Sequence, residues 1–205
     1  MGLEGRPLRQ KEDLRQLILD AARELFVHHG FEGLSMHRLS LMIEYSPTTI
    51  YLYFKDKDEL VRAVCAETFK SLAQGLEDLG QTPLDHRARL RSAMLGYVDF
   101  GICHPDHYKV AFIARAVVFA SPTEFMNEDN PGWRSFAMFR TIVADYLTWA
   151  GLAKDPDLTA QGLWAGVHGL TSLFITQPIF PWKHRQELTE NLVDTLLTGL
   201  EINRA

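Results

Sequence analysis

Apolar positions recur at helical spacing along most of the chain, and nowhere do they alternate as a half-buried strand would. Leu14, Leu17, Ile18, Ala21, Ala22, Leu25 and Phe26 mark an amphipathic first helix, with Gly30 as its left-handed stop. Residues Met1 to Arg9 ahead of it read as an arm, either a solvated tail or a reader of a minor groove. Two short helices follow. The first runs from Ser35 to about Ile43, with the Ser35 hydroxyl as N-cap, and the second opens at Ser46-Pro47, where a missing N–H costs nothing. Leu39, Met42 and Ile43 share one side of the first, Ile50 and Phe54 one side of the second. Helices this short do not stand alone, so neighbours must hold them up while the other face is left for a partner.

Asp56 and Glu59 have the spacing of a capping box and open a long helix through Leu60, Val61, Val64, Cys65, Phe69, Leu72 and Leu76 to Gly80. Such a helix, roughly 30 Å long by its rise, can link a reading head to a second domain. Thr82-Pro83-Leu84-Asp85 starts another, through Leu90, Met94, Tyr97, Val98 and Phe100 until Pro105. The stretch from Pro105 to Ala120 reads as a helix or two, and Ser121 to Pro131 as a mobile surface loop near a ligand entrance. Helices are then expected from Asn130-Pro131 to Gly151, from about Asp157 to Thr176, and from about Lys183 to Ile202. The fold class is all-α, with an N-terminal three-helix unit (1–56), a connecting helix (57–80) and a C-terminal helical domain (81–205).

At 205 residues, 46% hydrophobic and 11% aromatic, the chain is long and apolar enough to fold with ample core, which argues against disorder. Cys65 and Cys103 form no disulfide framework, there is no basic-then-apolar leader, and no apolar run reaches a membrane-spanning length. A cytoplasmic protein without a membrane segment is expected. The formal net charge is -5, and Met1 to Lys70 holds ten Lys/Arg against eleven Asp/Glu. That balance argues against strong non-specific affinity for nucleic acid. Phosphate binding needs only local positive charge, and Arg6, Arg9, Lys11, Arg38, Lys55 and Lys57 supply it around the short helices.

The outward face of those helices carries the chemistry. Ser46, Pro47, Thr48 and Thr49 crowd the start of the second, followed by Tyr51, Leu52 and Tyr53. Small hydroxyl side chains let a helix enter a major groove with its dipole toward phosphate, and tyrosines and lysines reach flanking phosphates. This is the logic of a helix-turn-helix. The run from about Leu14 to Leu60, a quarter of the chain, resembles the DNA-binding domain of the TetR (tetracycline repressor) family of bacterial regulators. Ser46-Pro47-Thr48-Thr49-Ile50-Tyr51-Leu52-Tyr53-Phe54, followed by Lys55-Asp56-Lys57, carries the resemblance. It implies DNA contacts from Ser35, Thr48, Thr49, Tyr51, Tyr53 and Lys57, with Ser35 and Lys57 on phosphate. Arg38, Ser46, Pro47 and Leu52 complete the expected surface. Two positions depart from the family pattern. Ile43-Glu44-Tyr45 stands where alanine-glycine-valine is usual, so Glu44 must take a glycine conformation or the turn is reshaped. Leu52 replaces a frequent histidine, which favours an apolar base edge such as a thymine methyl.

The same resemblance implies no cofactor, a homodimer on a palindromic double-stranded DNA operator, and release by a small molecule. Leu163, Val167, Leu170 and Phe174 form one apolar row, and Leu188, Leu192, Leu196 and Leu200 another. Stripes this wide suit a four-helix interface between two copies, although each could instead face its own core. A small hydrophobic effector would be walled by Tyr97, Phe100, Cys103, Phe112, Trp133, Phe136, Phe139, Trp164 and His168, with Tyr97 and His168 as polar anchors. No metal site is expected, because Pro105 breaks the alignment of His104 with His107. Two rivals stand beside a ligand-responsive repressor. One is an all-α enzyme using His168 with Asp145, or the His104/His107 pair; the other is a ligand-binding dimer that no longer reads DNA.

Overall fold

A computed structural model describes residues 5–113, 123, 126–127 and 129–202. Its helices are α1 (Gly5–Gly33), α2 (Met36–Met42), α3 (Pro47–Tyr51), α4 (Lys57–Gly80), α5 (His86–Cys103), α6 (Pro105–Tyr108), α7 (Pro131–Ala150), α8 (Pro156–Thr176) and α9 (Arg185–Ile202), with a π-helical turn at Lys109–Ile113 after α6. No strand occurs among the described residues.

The chain divides into two compact units, and the division falls inside α4 rather than at its ends. The first unit holds the described residues up to Thr68 together with the segment from Asp106, so α6 and the π-turn join the head. The second holds Phe69–Pro105 and the described residues from 123 onward.

In the first unit α1 packs on α2 and on the π-turn, and α2 packs on α3. Ile18, Leu19, Ala22 and Phe26 of α1 are buried, as are Leu39, Ile50, Phe54, Leu60 and Val64. Leu17 and Met42, expected inside, are 43% and 40% exposed; Leu19 takes the inward position instead. α1 begins at Gly5, so most of the expected arm is helical, and residues 1–4 lie outside the described residues. Gly30 is also not a left-handed stop. Its φ of 67° comes with ψ of -175°, a region open essentially only to glycine, and the chain bends there before a last helical turn to Gly33.

The second unit is built around α5, which packs against α7, α8 and α9. Leu90, Met94 and Val98 follow its inward stripe and meet Val143, Tyr146 and Leu147 of α7, then Val193 and Leu197 of α9. Leu163, Val167, Leu170 and Phe174 of α8 are 1–8% exposed within this single chain. That row is intrachain core, which corrects its expected place at a dimer interface: side chains already enclosed by α5 and α7 have no area left for a partner. The α9 row is different. Leu188, Leu192, Leu196 and Leu200 are only partly buried, flanking the buried Val193 and Leu197.

Helix ends follow local chemistry. Asp85 Oδ1 accepts from Ala88 N (2.7 Å), and Asp155 Oδ1 accepts from Asp157 N and Leu158 N (2.7 and 3.0 Å). Asn130 caps α7 in the same way, and Gly151, at φ 66° and ψ 32°, ends it with Leu152 N donating to Leu147 O (2.9 Å). Five residues of the loop expected from Ser121 to Pro131 lie outside the described residues.

Candidate nucleic-acid interface

The head presents α2 and α3 on a buried platform. Ser35 Oγ accepts from Arg38 N (3.1 Å) and begins α2; Ser46 Oγ accepts from Thr49 N (3.1 Å), with Pro47 in the first turn, and begins α3. Ser46 Oγ also lies 2.9 Å from Thr49 Oγ1, so both hydroxyls help build the helix start as well as its surface. Between the helices the chain turns through a Schellman motif: Tyr45 N donates to Ser40 O (3.1 Å), and Glu44 occupies the left-handed position at φ 58°. Glu44 therefore adopts the conformation that glycine usually supplies there.

The exposed candidates form one strip. Ser46, Pro47 and Thr48 are exposed, Tyr51 is 53% and Leu52 77% exposed, and Thr49 and Tyr53 are half-buried. Ile50 and Phe54, at 0% and 2%, anchor the other side, and Arg15 stacks over the Phe54 ring at 5.4 Å. A five-residue helix thus keeps its outward face free because two side chains fix it from behind. Leu41 and Tyr45, 66% and 45% exposed, extend this surface. Neither carried a sequence signal for this surface: Leu41 was only left off the inward side given to Leu39, and Tyr45 lies in the turn after the helix.

α4 opens with Asp56 Oδ1 accepting from Glu59 N (2.7 Å), while Glu59 Oε2 accepts from Lys55 N (2.8 Å), one residue ahead of the usual capping-box partner. Lys57 Nζ sits 3.8 Å from the centroid of the Phe31 ring, and Arg38 Nη1 donates to Gly33 O (3.2 Å). Phe31 and Gly33 had no sequence signal linking them to these cations.

In the second unit, five of the nine proposed effector residues come together. Trp133 and Phe136 have centroids 5.9 Å apart, Phe136 and Trp164 5.8 Å, and Trp164 and His168 5.8 Å. Trp164 Nε1 donates to Tyr97 Oη (3.2 Å), which lies 3.0 Å from His168 Nδ1. Burial lowers the His168 pKa, favouring the neutral ring whose Nδ1 can accept the Tyr97 proton. Phe139 packs on the core, Phe100 stacks on His104 at 5.2 Å, and Cys103 is exposed; Phe112, on Tyr108 at 4.8 Å, belongs to the first unit.

His107 Nδ1 lies 3.4 Å from Thr68 Oγ1. Among the described residues no group of three His, Cys, Asp or Glu is placed to hold a metal ion, and no helix is long and apolar enough to cross a membrane.

Several known transcriptional regulators resemble this chain. The transcriptional activator FasR of Mycolicibacterium smegmatis is 29% identical over 102 residues, 50% of this chain and 47% of FasR. The repressor AcnR of Corynebacterium diphtheriae is 35% identical over 66 residues, 32% of this chain and 35% of AcnR. The chain thus spans half or less of the length of these two relatives. A solved structure of FadR from Bacillus subtilis, in complex with stearoyl-CoA, shares the fold with a TM-score of 0.74 at 14% identity, covering 90% of this chain and 98% of that one. The model of bacterial regulatory proteins of the tetR family matches residues 18–64, and that of the tetracyclin repressor-like C-terminal domain matches 90–196. Head and C-terminal bundle are both accounted for, and the chain belongs to the TetR family of DNA-binding transcriptional regulators.

Proposed function

We propose that the chain is a repressor that binds a palindromic operator as a homodimer in the cytoplasm and is released by a small hydrophobic molecule. One observation carries the DNA-binding part: a short helix begun by Ser46-Pro47 keeps Thr48, Tyr51 and Leu52 outward because Ile50 and Phe54 are buried behind it. Thr48 and Thr49 address base edges, Leu52 an apolar edge, and Ser35, Arg38, Tyr51, Tyr53 and Lys57 the phosphates. Two heads related by a twofold axis would reach half-sites about one helical turn apart. Repression, rather than activation, follows the resemblance to tetracycline repressors and is the part the promoter assay decides, since named relatives include both kinds.

The dimer rests on the half-exposed leucines of α9, Leu188, Leu192, Leu196 and Leu200. The effector site rests on the cluster of Tyr97, Trp133, Phe136, Trp164 and His168, an apolar wall with one hydrogen-bonded polar pair. An effector shifts DNA affinity only as far as it prefers one conformation of the protein.

A mobility-shift assay on the chain's own promoter region tests this, with Thr49→Ala/Tyr51→Ala as control. Binding lost in the double variant, and reversed by an apolar compound, supports the reading; long-chain acyl-CoA belongs in the compound set beside phenols and drug-like molecules. Equal binding by the double variant contradicts it. A promoter fusion whose output falls when the chain is present supports repression, and a rise contradicts it.

A further inference from the structure

The near-neutral charge of the head leaves open where its local positive charge comes from. Some of its described cations face carboxylates and others neutral groups, as Arg15 does over the Phe54 ring. Arg23 donates to Asp20 (2.9 Å) and Glu67 (2.6 Å), and Lys55 lies 3.9 Å from Asp56, so carboxylates compensate both. Lys57 and Arg38 are held by neutral groups instead: the Phe31 ring at 3.8 Å and the Gly33 carbonyl at 3.2 Å. Neither takes part in an ion pair among the described residues. Both holders lie within three residues of the connection between α1 and α2, directly after the bend at Gly30 (φ 67°).

A ring face and a carbonyl differ from a carboxylate in one respect that matters here. They fix a cation's position while leaving its charge whole. An ammonium over a ring still has N–H donors pointing away from it, and a guanidinium that gives one N–H to a carbonyl keeps four. A lysine stem otherwise loses considerable rotamer freedom when its head is fixed on a phosphate.

We infer that Phe31 is a positioning residue for DNA binding: its ring seats the Lys57 ammonium in advance, and with the Gly33 carbonyl holding Arg38 it makes the Gly30–Gly33 bend a holder for two uncompensated cations. The inference rests on the reading of Lys57 as a phosphate contact. The ring raises the share of complexes in which Lys57 meets its phosphate, so its loss leaves that contact only partly formed, and it adds no contact of its own to the duplex.

The test measures the dissociation constant against salt for a labelled duplex selected from a random pool by the wild-type chain. Lys57→Gln should reduce the slope of log K against log salt by about 0.9, as one lost phosphate contact does. Phe31→Leu should weaken binding by ~2- to 5-fold with a shallower slope, from the scale of an exposed cation–π contact, while Phe31→Trp keeps both near wild type. Phe31→Leu/Lys57→Gln together should bind no worse than Lys57→Gln alone. A Phe31→Leu change that adds in full to Lys57→Gln, or that weakens binding and lowers the melting temperature with the slope unchanged, overturns the inference and leaves the Lys57 contact standing. An unchanged slope in Lys57→Gln removes the contact itself, and the inference with it.

Discussion

Replacing Glu44 by glycine should stabilise the head. Glu44 sits at φ 58° in the left-handed position of a Schellman turn, with Tyr45 N donating to Ser40 O behind it. A residue with a Cβ loses roughly 1–2 kcal/mol in that region. Glycine escapes this loss, but its freer unfolded chain takes back about 0.5–1 kcal/mol. The net gain is therefore ~0.5–1 kcal/mol, or a rise of about 2–4 °C in melting temperature at its upper end for a chain of this length. Thermal unfolding followed by circular dichroism measures it. Gly151 provides the mirror experiment at the end of α7, where the same turn is already made with glycine at φ 66°. Nothing lies within 4 Å of the Cβ an alanine would add there, so Gly151→Ala isolates backbone strain from crowding and should destabilise by ~1 kcal/mol. A Glu44→Gly variant that melts no higher than wild type, beside a Gly151→Ala variant that melts no lower, refutes the strain argument.

Three further outcomes follow from burial and charge. Leu163→Ala, at a position 3% exposed in the α8 core, should cost ~2–5 kcal/mol of stability, whereas Leu192→Ala on the half-buried α9 row should lower dimer content in light scattering more than it lowers stability. Burial pushes the Cys65 thiol up to about 12 and Cys103 is exposed, so iodoacetamide on the native chain near pH 8 should label Cys103 and spare Cys65, as read by peptide mass spectrometry. Arg91 holds the Asp194 carboxylate below its ordinary 3.8 through Nε (2.7 Å) and Nη2 (3.0 Å). Because the folded value is the lower one, this pair stabilises above pH 3.8 and its contribution is lost as pH falls through the depressed value; being solvent-exposed, it is worth about 0.2–1 kcal/mol. Arg91→Met should therefore flatten the acid limb of stability against pH, and high salt should do the same to the wild type.

What could be read from the sequence was local chemistry. Ser46-Pro47, Asp56 with Glu59, Asn130-Pro131 and Gly151 each satisfy orphan backbone groups within a few residues, so their helix ends could be placed without knowing any neighbour. The special demand on Glu44 was legible only through the family resemblance, whose pattern has glycine at that turn. What periodicity could not decide was which neighbour an apolar stripe meets. Val167 and Leu192 both lie on regular leucine- and valine-rich rows, yet α5 and α7 enclose the first while the second stays half open. Short helices were harder still, since α2 buries Leu39 and exposes Leu41 and Met42 with barely two turns to show a period. The seats of Lys57 and Arg38 join residues far apart in sequence or backbone to side chain, and no spacing rule encodes them.

The claim on which the account stands is that α3 lies in a major groove. Dimethyl sulfate distinguishes the grooves, because it methylates guanine N7 in the major groove and adenine N3 in the minor. On a duplex selected from a random pool by the wild-type chain, the account predicts guanine N7 protection in two patches about 10 base pairs apart, lost when Thr49 and Tyr51 are both alanine. Bound duplex with unprotected guanines, or with protection at adenine N3 alone, contradicts it.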